Sequence, residues 1–271
     1  MASNLIEDNL TQLLRTAVDR SSGDLWVVDP TQRAIRAVID VANGDDGAIP
    51  AIRMLADEGA LKSTFDDFLV ASRTADLIDT ERLSVRTLRE ETANSLLVAE
   101  GEVFAIVTTG ERVAALTTDD ASFVDTTKAG CERRWEAADS FRLRTPPISE
   151  VRDTLGAEIG DDIRADFDTV LDSLDAARGD GNGLDEVTIS LLVAARNDVL
   201  LYDISKWGED VGIASKATFS RTKTQLEDTG LITTEKVPID VGRPRLRLQL
   251  ADDGLAGADI DEFATVAAER L

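Results

Sequence analysis

The stretch that most limits how this chain can fold runs from 212 to 250. After Gly212-Ile213 comes Ser215-Lys216-Ala217-Thr218-Phe219-Ser220-Arg221-Thr222-Lys223-Thr224-Gln225-Leu226, which closes on Gly230 and passes into Leu231-Ile232. Ser215 suits a helix N-cap, and Gly230 suits a helix stop. The 3.6-residue period puts Phe219, Thr222, Lys223 and Leu226 on one side, with Phe219 and Leu226 as core anchors. Ala217, Ser220, Arg221 and Thr224 face the other way. Two strands follow, 232 to 237 and 245 to 250, around the loop Pro238-Ile239-Asp240-Val241-Gly242-Arg243-Pro244. Upstream, Asp185 can cap a helix over 186–197, and Leu200 to Trp207 leads into a second helix. Two helices, a tight turn at Gly212, a third helix and a hairpin describe a winged helix-turn-helix.

Charge points to what this segment meets. The whole chain has 52 acidic against 29 basic residues, a net of −23. Between Ile213 and Arg247, however, Lys216, Arg221, Lys223, Lys236, Arg243, Arg245 and Arg247 stand against Glu227, Asp228, Glu235 and Asp240, so seven minus four gives +3. The small, hydroxylic and basic outer face of the third helix fits a major groove. The expected DNA-contacting residues are Ser215, Lys216, Ala217, Thr218, Ser220, Arg221, Lys223 and Thr224 on the helix, with Arg243, Arg245 and Arg247 on the hairpin. Ser215, Lys216 and Thr218 lie at the helix N-terminus, where free N–H groups attract phosphate. Arg245 and Arg247 alternate onto one side of their strand, away from Leu246 and Leu248.

The global charge has another source. Acidic residues are mostly aspartate, and lysine occurs six times in 271 residues. Such a surface resembles that of cytoplasmic proteins of extreme halophiles, so it does not argue against nucleic acid. The absence of histidine removes the commonest general base and metal ligand. The single cysteine, Cys131, excludes an internal disulfide and reads as a buried apolar side chain. No catalytic residues, no metal site and no cofactor are expected. No apolar run reaches the roughly 20 residues of a membrane span, and the first residues lack a basic signal head, so a cytoplasmic location is expected.

The remainder divides by pattern. Helices are expected at 5–18, 31–42, 58–75 and 119–138, and strands at 25–28, 49–55, 83–89, 95–99, 103–108 and 113–116. Residues 1–147 therefore read as an α/β effector domain with a partly antiparallel sheet. A helical connector is expected over 148–178, a Gly-rich linker over 179–184 and the winged helix over 185–271. A homodimer is expected, because two-fold partners match palindromic half-sites. Its interface would use the N-terminal helix, the connector or the last helix, which carries Ile260, Phe263 and Ala267.

The run 213–232 followed by Val241-Gly242-Arg243-Pro244-Arg245-Leu246-Arg247-Leu248 is similar to archaeal winged-helix regulators. End to end, the chain resembles the haloarchaeal TbsP-type regulators, which work beside the sugar-sensing regulator TrmB. The resemblance implies a transcription regulator of central carbon metabolism, glycolytic and gluconeogenic, bound to double-stranded promoter DNA. Residues 95–141 also resemble the phospholipase D-like sensor domains of TrmB relatives. Catalytic members use a histidine nucleophile, so a domain of that kind here would bind without hydrolysing. A phosphorylated sugar or glycolytic intermediate is the implied effector. Thr108, Thr109 and Arg112 at a hairpin, with Arg53, Arg73 and Arg86, are the candidate residues for it. The alternatives are a phosphoester hydrolase with an accessory DNA-binding tail, which would turn over phosphodiester or phosphosugar substrates, and a scaffold that uses the winged helix for protein contact.

Overall fold

The computed structural model describes residues 5–21, 23–44, 49–90, 92–110, 112–176, 184–240 and 242–271. Contacts divide the chain into two units, Met1–Leu143 and Arg144–Leu271. The linker expected at 179–184, except for Leu184, lies outside the described residues, as do Val241 and Asp45, Asp46 and Gly47.

In the first unit the order is β1 (Leu5–Glu7), α1 (Leu10–Arg20), β2 (Leu25–Val28), α2 (Gln32–Gly44), β3 (Ile52–Ala56), α3 (Glu58–Phe65), α4 (Phe68–Asp79), β4 (Leu83–Thr87), β5 (Leu96–Val98), β6 (Val103–Thr109), β7 (Arg112–Thr118), α5 (Ala121–Ala137) and β8 (Asp139–Ser140). Among the described residues the strands form one mixed sheet in the order β1-β7-β6-β5-β2-β3-β4-β8. β2, β3 and β4 are parallel, and the other pairings are antiparallel.

The apolar faces of α1 to α4 cover one side of the sheet, where Leu13, Leu14, Ile35, Ile39, Met54, Leu61, Leu97 and Phe104 make a buried apolar core. The other side carries α5, which buries Val124 and Cys131 against Trp26, Val28, Leu55, Val98 and Val103. Trp26 meets Trp135 edge-on at 5.6 Å, a favoured aromatic geometry. Ile6, Val107, Leu116 and Phe123 remain exposed. The register puts Ile6, Val107 and Leu116 on this second face, toward the β1 end.

Two helix expectations need correction. The helix expected from residue 5 begins only at Leu10, because Asn9 caps it by accepting from the Gln12 N–H at 3.0 Å, while Leu5, Ile6 and Glu7 pair with Ala115, Ala114 and Val113. The helix expected over 58–75 is two, because the Asp67 carboxylate accepts from the Val70 N–H and starts a second helix.

The second unit contains α6 (Ile148–Glu158), α7 (Asp161–Ala176), α8 (Glu186–Arg196), α9 (Leu201–Asp210), α10 (Lys216–Asp228), β9 (Ile232–Val237), β10 (Arg245–Leu250), α11 (Asp253–Ala256) and α12 (Ile260–Ala268). The segment read as a connector folds into this unit. Phe167 on α7 packs edge-on against Trp207 at 6.5 Å, and the Trp207 indole N–H donates to Thr154 Oγ1 on α6 at 2.9 Å. The three elements proposed for a dimer interface bury their apolar faces within their own units: Leu10, Leu13 and Leu14 on α1, Val151 and Phe167 on α6 and α7, Phe263 and Ala267 on α12.

Candidate nucleic-acid interface

Three helices and a hairpin build the interface. Asp185 caps α8 through the Thr188 N–H at 2.7 Å, and its buried residues from Val187 to Ala195 leave almost no polar face. α9 ends at Asp210, and Gly212 turns the chain at φ 91°, a left-handed value that favours glycine. The Ile213 N–H returns to the Gly208 carbonyl at 2.8 Å. Ser215 then caps α10, its Oγ accepting from the Thr218 N–H at 3.2 Å.

α9 and α10 cross closely because Gly208 has no side chain. The fully buried Phe219 ring occupies the space a methyl there would need. Phe219, Thr222 and Leu226 face inward, whereas Ser215, Lys216, Ala217, Ser220, Arg221 and Thr224 are exposed and Thr218 is half-buried. β9 and β10 pair in full register from Arg245↔Val237 to Leu250↔Ile232. The Leu248 N–H donates to the Val199 carbonyl at 2.9 Å, which ties the hairpin to the α8–α9 junction. An open groove of about 450 Å³ lies between α9, the start of α10 and the hairpin, and Tyr202, Ser205, Lys216, Ser220, Arg243 and Arg245 line it.

The expected DNA-contacting cations fall into two groups. Arg221 and Arg243 are exposed and, among the described residues, without an acidic partner; Lys236 on β9 is the same. Lys216, Arg245 and Lys223 are engaged. Lys216 pairs with Glu209 at 2.7 Å, which holds the Glu209 carboxyl below its usual range and the Lys216 ammonium above its own. Arg245 pairs with Asp203 at 3.1 Å and lies 3.9 Å above the Tyr202 ring. Arg247 is half-buried, its Nε enclosed and, among the described residues, without a hydrogen-bond partner. Lys223 is 12% exposed and bonded to Glu227 at 2.6 Å, so its ammonium braces α10 rather than standing free on the exposed face that carries Arg221. Tyr202, Asp203 and Glu209 escaped the sequence reading, although Tyr202 is the chain's only tyrosine and stands on the polar side of α9.

The effector candidates of the first unit do not converge on one site. Arg53 pairs with Asp24 at 2.8 Å and lies over Trp26 at 5.1 Å. Arg86 lies over Trp135 at 4.6 Å and donates to its carbonyl at 2.6 Å. These two flank the tryptophan pair on the α5 side. Arg73 is half-buried on α4, across the sheet, and already engaged with a neighbour. Thr108, Thr109 and Arg112 are exposed at the tip of the β6–β7 hairpin, where Thr109 opposes Arg112.

An α/β domain followed by a winged helix whose third helix presents a short, hydroxylic and basic face defines a helix-turn-helix transcription regulator. Family models agree over nearly the whole chain: the N-terminal part of the TbsP-like transcriptional regulators matches residues 2–146, and their C-terminal HTH domain matches residues 147–268. The chain belongs to this TbsP-like family. None of the curated proteins compared with it matches. Among solved structures it is similar to TrmBL2, an archaeal chromatin protein with a novel mode of DNA binding, at 15% identity and TM-score 0.37 over 51% of this chain and 54% of that one. It therefore spans about half the length of TrmBL2. It is also similar to Nuc, a phospholipase D family member from Salmonella typhimurium, at 11% identity and TM-score 0.38 over 52% of this chain and 99% of that one. NucT from Helicobacter pylori gives 12% identity and TM-score 0.37 over 52% and 100%. Among the described residues no helix is long and apolar enough to cross a membrane.

Proposed function

We propose that the chain is a sequence-specific regulator that reads double-stranded promoter DNA with the exposed face of α10 and holds the flanking backbone with the hairpin. The observation that carries this reading is the pair of exposed guanidiniums, Arg221 on α10 and Arg243 on the hairpin, which among the described residues have no acidic partner, beside the small hydroxylic side chains of α10. Arg221 can fork onto a guanine, and Arg243 onto a phosphate. Ser215, Lys216, Ala217, Thr218, Ser220 and Thr224 complete the helix contacts.

The chain acts as a cytoplasmic homodimer, since one recognition helix reads too few base pairs for a specific site. Residues 1–147 serve as the sensing domain and 185–271 as the reader. The likeness to regulators that work beside TrmB supports control of central carbon genes and a phosphorylated sugar as effector. The aspartate-rich, lysine-poor composition supports a halophilic archaeal cytoplasm. With no histidine for a phospholipase D-type nucleophile, the first domain binds and does not hydrolyse.

A gel shift with wild type, Arg221→Ala and Arg243→Ala tests the reading. Each variant should lose about tenfold or more in affinity, a bidentate contact being worth about 1–3 kcal/mol. Wild-type affinity in both variants would overturn it. Genome-wide mapping of bound sites with and without glucose tests the sugar assignment.

A further inference from the structure

The groove between α9, α10 and the hairpin is arranged unlike a simple cationic patch, because two of its cations already hold carboxylates. Glu209 accepts from the Lys216 ammonium at 2.7 Å and from the Lys216 backbone N–H at 3.2 Å, with both donors at the first residue of a 13-residue helix. A DNA phosphate at a helix N-terminus takes the same pair of donors, a side-chain cation and a free N–H. Asp203 holds Arg245 at 3.1 Å, and Tyr202 supports the guanidinium from one face at 3.9 Å. Both pairs stay open to solvent, with side-chain exposures of 43% and 43% for Lys216 and Glu209, and 35% and 42% for Arg245 and Asp203. Exposed pairs are weak and exchange readily.

We infer that Glu209 and Asp203 are internal stand-ins for two DNA phosphates, occupying Lys216 and Arg245 until the duplex backbone enters the groove and displaces them. This rests on the DNA-binding reading above and adds two positioning residues to it. The consequence lies in ion exchange. A free cation that meets a phosphate releases about 0.9 of a condensed counterion, and each such contact steepens the fall of affinity with salt. When a phosphate displaces Glu209, the freed carboxylate takes up a cation while the DNA gives one up, so the net release at that contact is close to zero. Arg221 and Arg243 therefore set the salt dependence, and Lys216 and Arg245 add contacts without adding to it. The carboxylates lower affinity in dilute salt and preserve it in concentrated salt.

The test is fluorescence anisotropy of the full chain with a labelled random-sequence duplex of about 30 base pairs, titrated from about 0.1 M to about 1 M KCl, because binding without sequence preference is governed by the phosphate contacts. Glu209→Gln and Asp203→Asn keep the size of each side chain and remove its charge. Each should tighten binding about two- to fivefold near 0.1 M and steepen the slope of log K against log salt by about 0.9, so that the advantage is gone between about 0.2 and 0.6 M and each variant binds more weakly than wild type at about 1 M. Asp172→Asn, the same charge change on an exposed residue of α7 outside the groove, should leave the slope as in wild type. Wild-type slopes in both groove variants, weaker binding by them at all salt concentrations, or an equal change in Asp172→Asn would each overturn the inference. If the wild-type chain binds no duplex, or if Arg221→Ala and Arg243→Ala bind like wild type, the DNA-binding reading itself fails, an outcome distinct from these.

Discussion

Replacing Gly208 by alanine should destabilise the second unit, against the usual rule for a helical glycine. In a helix interior, glycine to alanine gains up to about 1 kcal/mol from backbone entropy. At Gly208 the new methyl would lie 2.3 Å from Phe219 Cζ and 2.4 Å from Cε2. Carbon atoms in contact settle at about 3.5 Å or more, so ring and methyl must separate by about 1 Å. The ring is fully buried and cannot swing outward, so α10 has to shift. Overpacking of this kind costs about 1–3 kcal/mol, which exceeds the propensity gain. The net loss of about 1–2 kcal/mol should lower the melting temperature by roughly 4–10 °C. Gly130, in the middle of α5, supplies the opposite case. A methyl there meets nothing closer than the flexible Arg134 tip at 3.4 Å, so Gly130→Ala should raise stability by up to about 1 kcal/mol. Calorimetric melts of both variants make the comparison, and DNA titrations should show weaker binding for Gly208→Ala alone, through displacement of α10. A Gly208→Ala protein that melts above wild type, as is expected of Gly130→Ala, would refute the close crossing of α9 and α10.

Three further outcomes are expected. Burial pushes the Cys131 thiol up, so in the native protein it should react with a thiol reagent orders of magnitude more slowly than in denaturant, as measured by absorbance. At Glu227 desolvation pushes the carboxyl up, but hydrogen bonds from Lys223 and Thr234, with the lysine charge, more than offset it and leave the carboxyl below its usual range. A depressed carboxylate contributes stability that is fully present above its unfolded value of about 4.3 and lost as pH falls through the folded one, so Glu227→Gln should flatten the acid limb of melting temperature against pH. Arg86→Ala removes both a charged hydrogen bond and a cation–π contact at Trp135, and denaturant unfolding should show a loss of about 2–3 kcal/mol in the first unit.

Sequence alone anticipated the local parts of this structure. Ser215 and Asp185 cap where short-range chemistry demands, and the strands at 232–237 and 245–250 begin and end as read. Phe219 and Leu226 point inward and Arg221 outward because a helical period needs only the helix itself. Long-range partners were out of reach. Leu5 and Ile6 look helical until β7, over 100 residues away, offers a ladder. β8 is two exposed residues with no apolar pattern, and only its pairing with Arg86 and Thr87 makes it a strand. The charge count from 213 to 247 could not tell an occupied cation from a free one. Lys216 and Arg245 take their partners from α9, outside that window, and Lys223 was placed on the inner face by its period yet still counted as a reader.

The order of the sheet has a further consequence for how copies of the chain can associate. Among the described residues its rims are β1, three residues long, and β8, two residues long, each laid beside a longer strand. A strand that short offers too few unpaired amide and carbonyl groups to template another chain. Strand-by-strand extension of the sheet into a larger assembly is thereby discouraged. Trimming the first eight residues would uncover the flank of β7, whose seven residues include Val113 and Leu116, and should favour precipitation by edge-to-edge pairing.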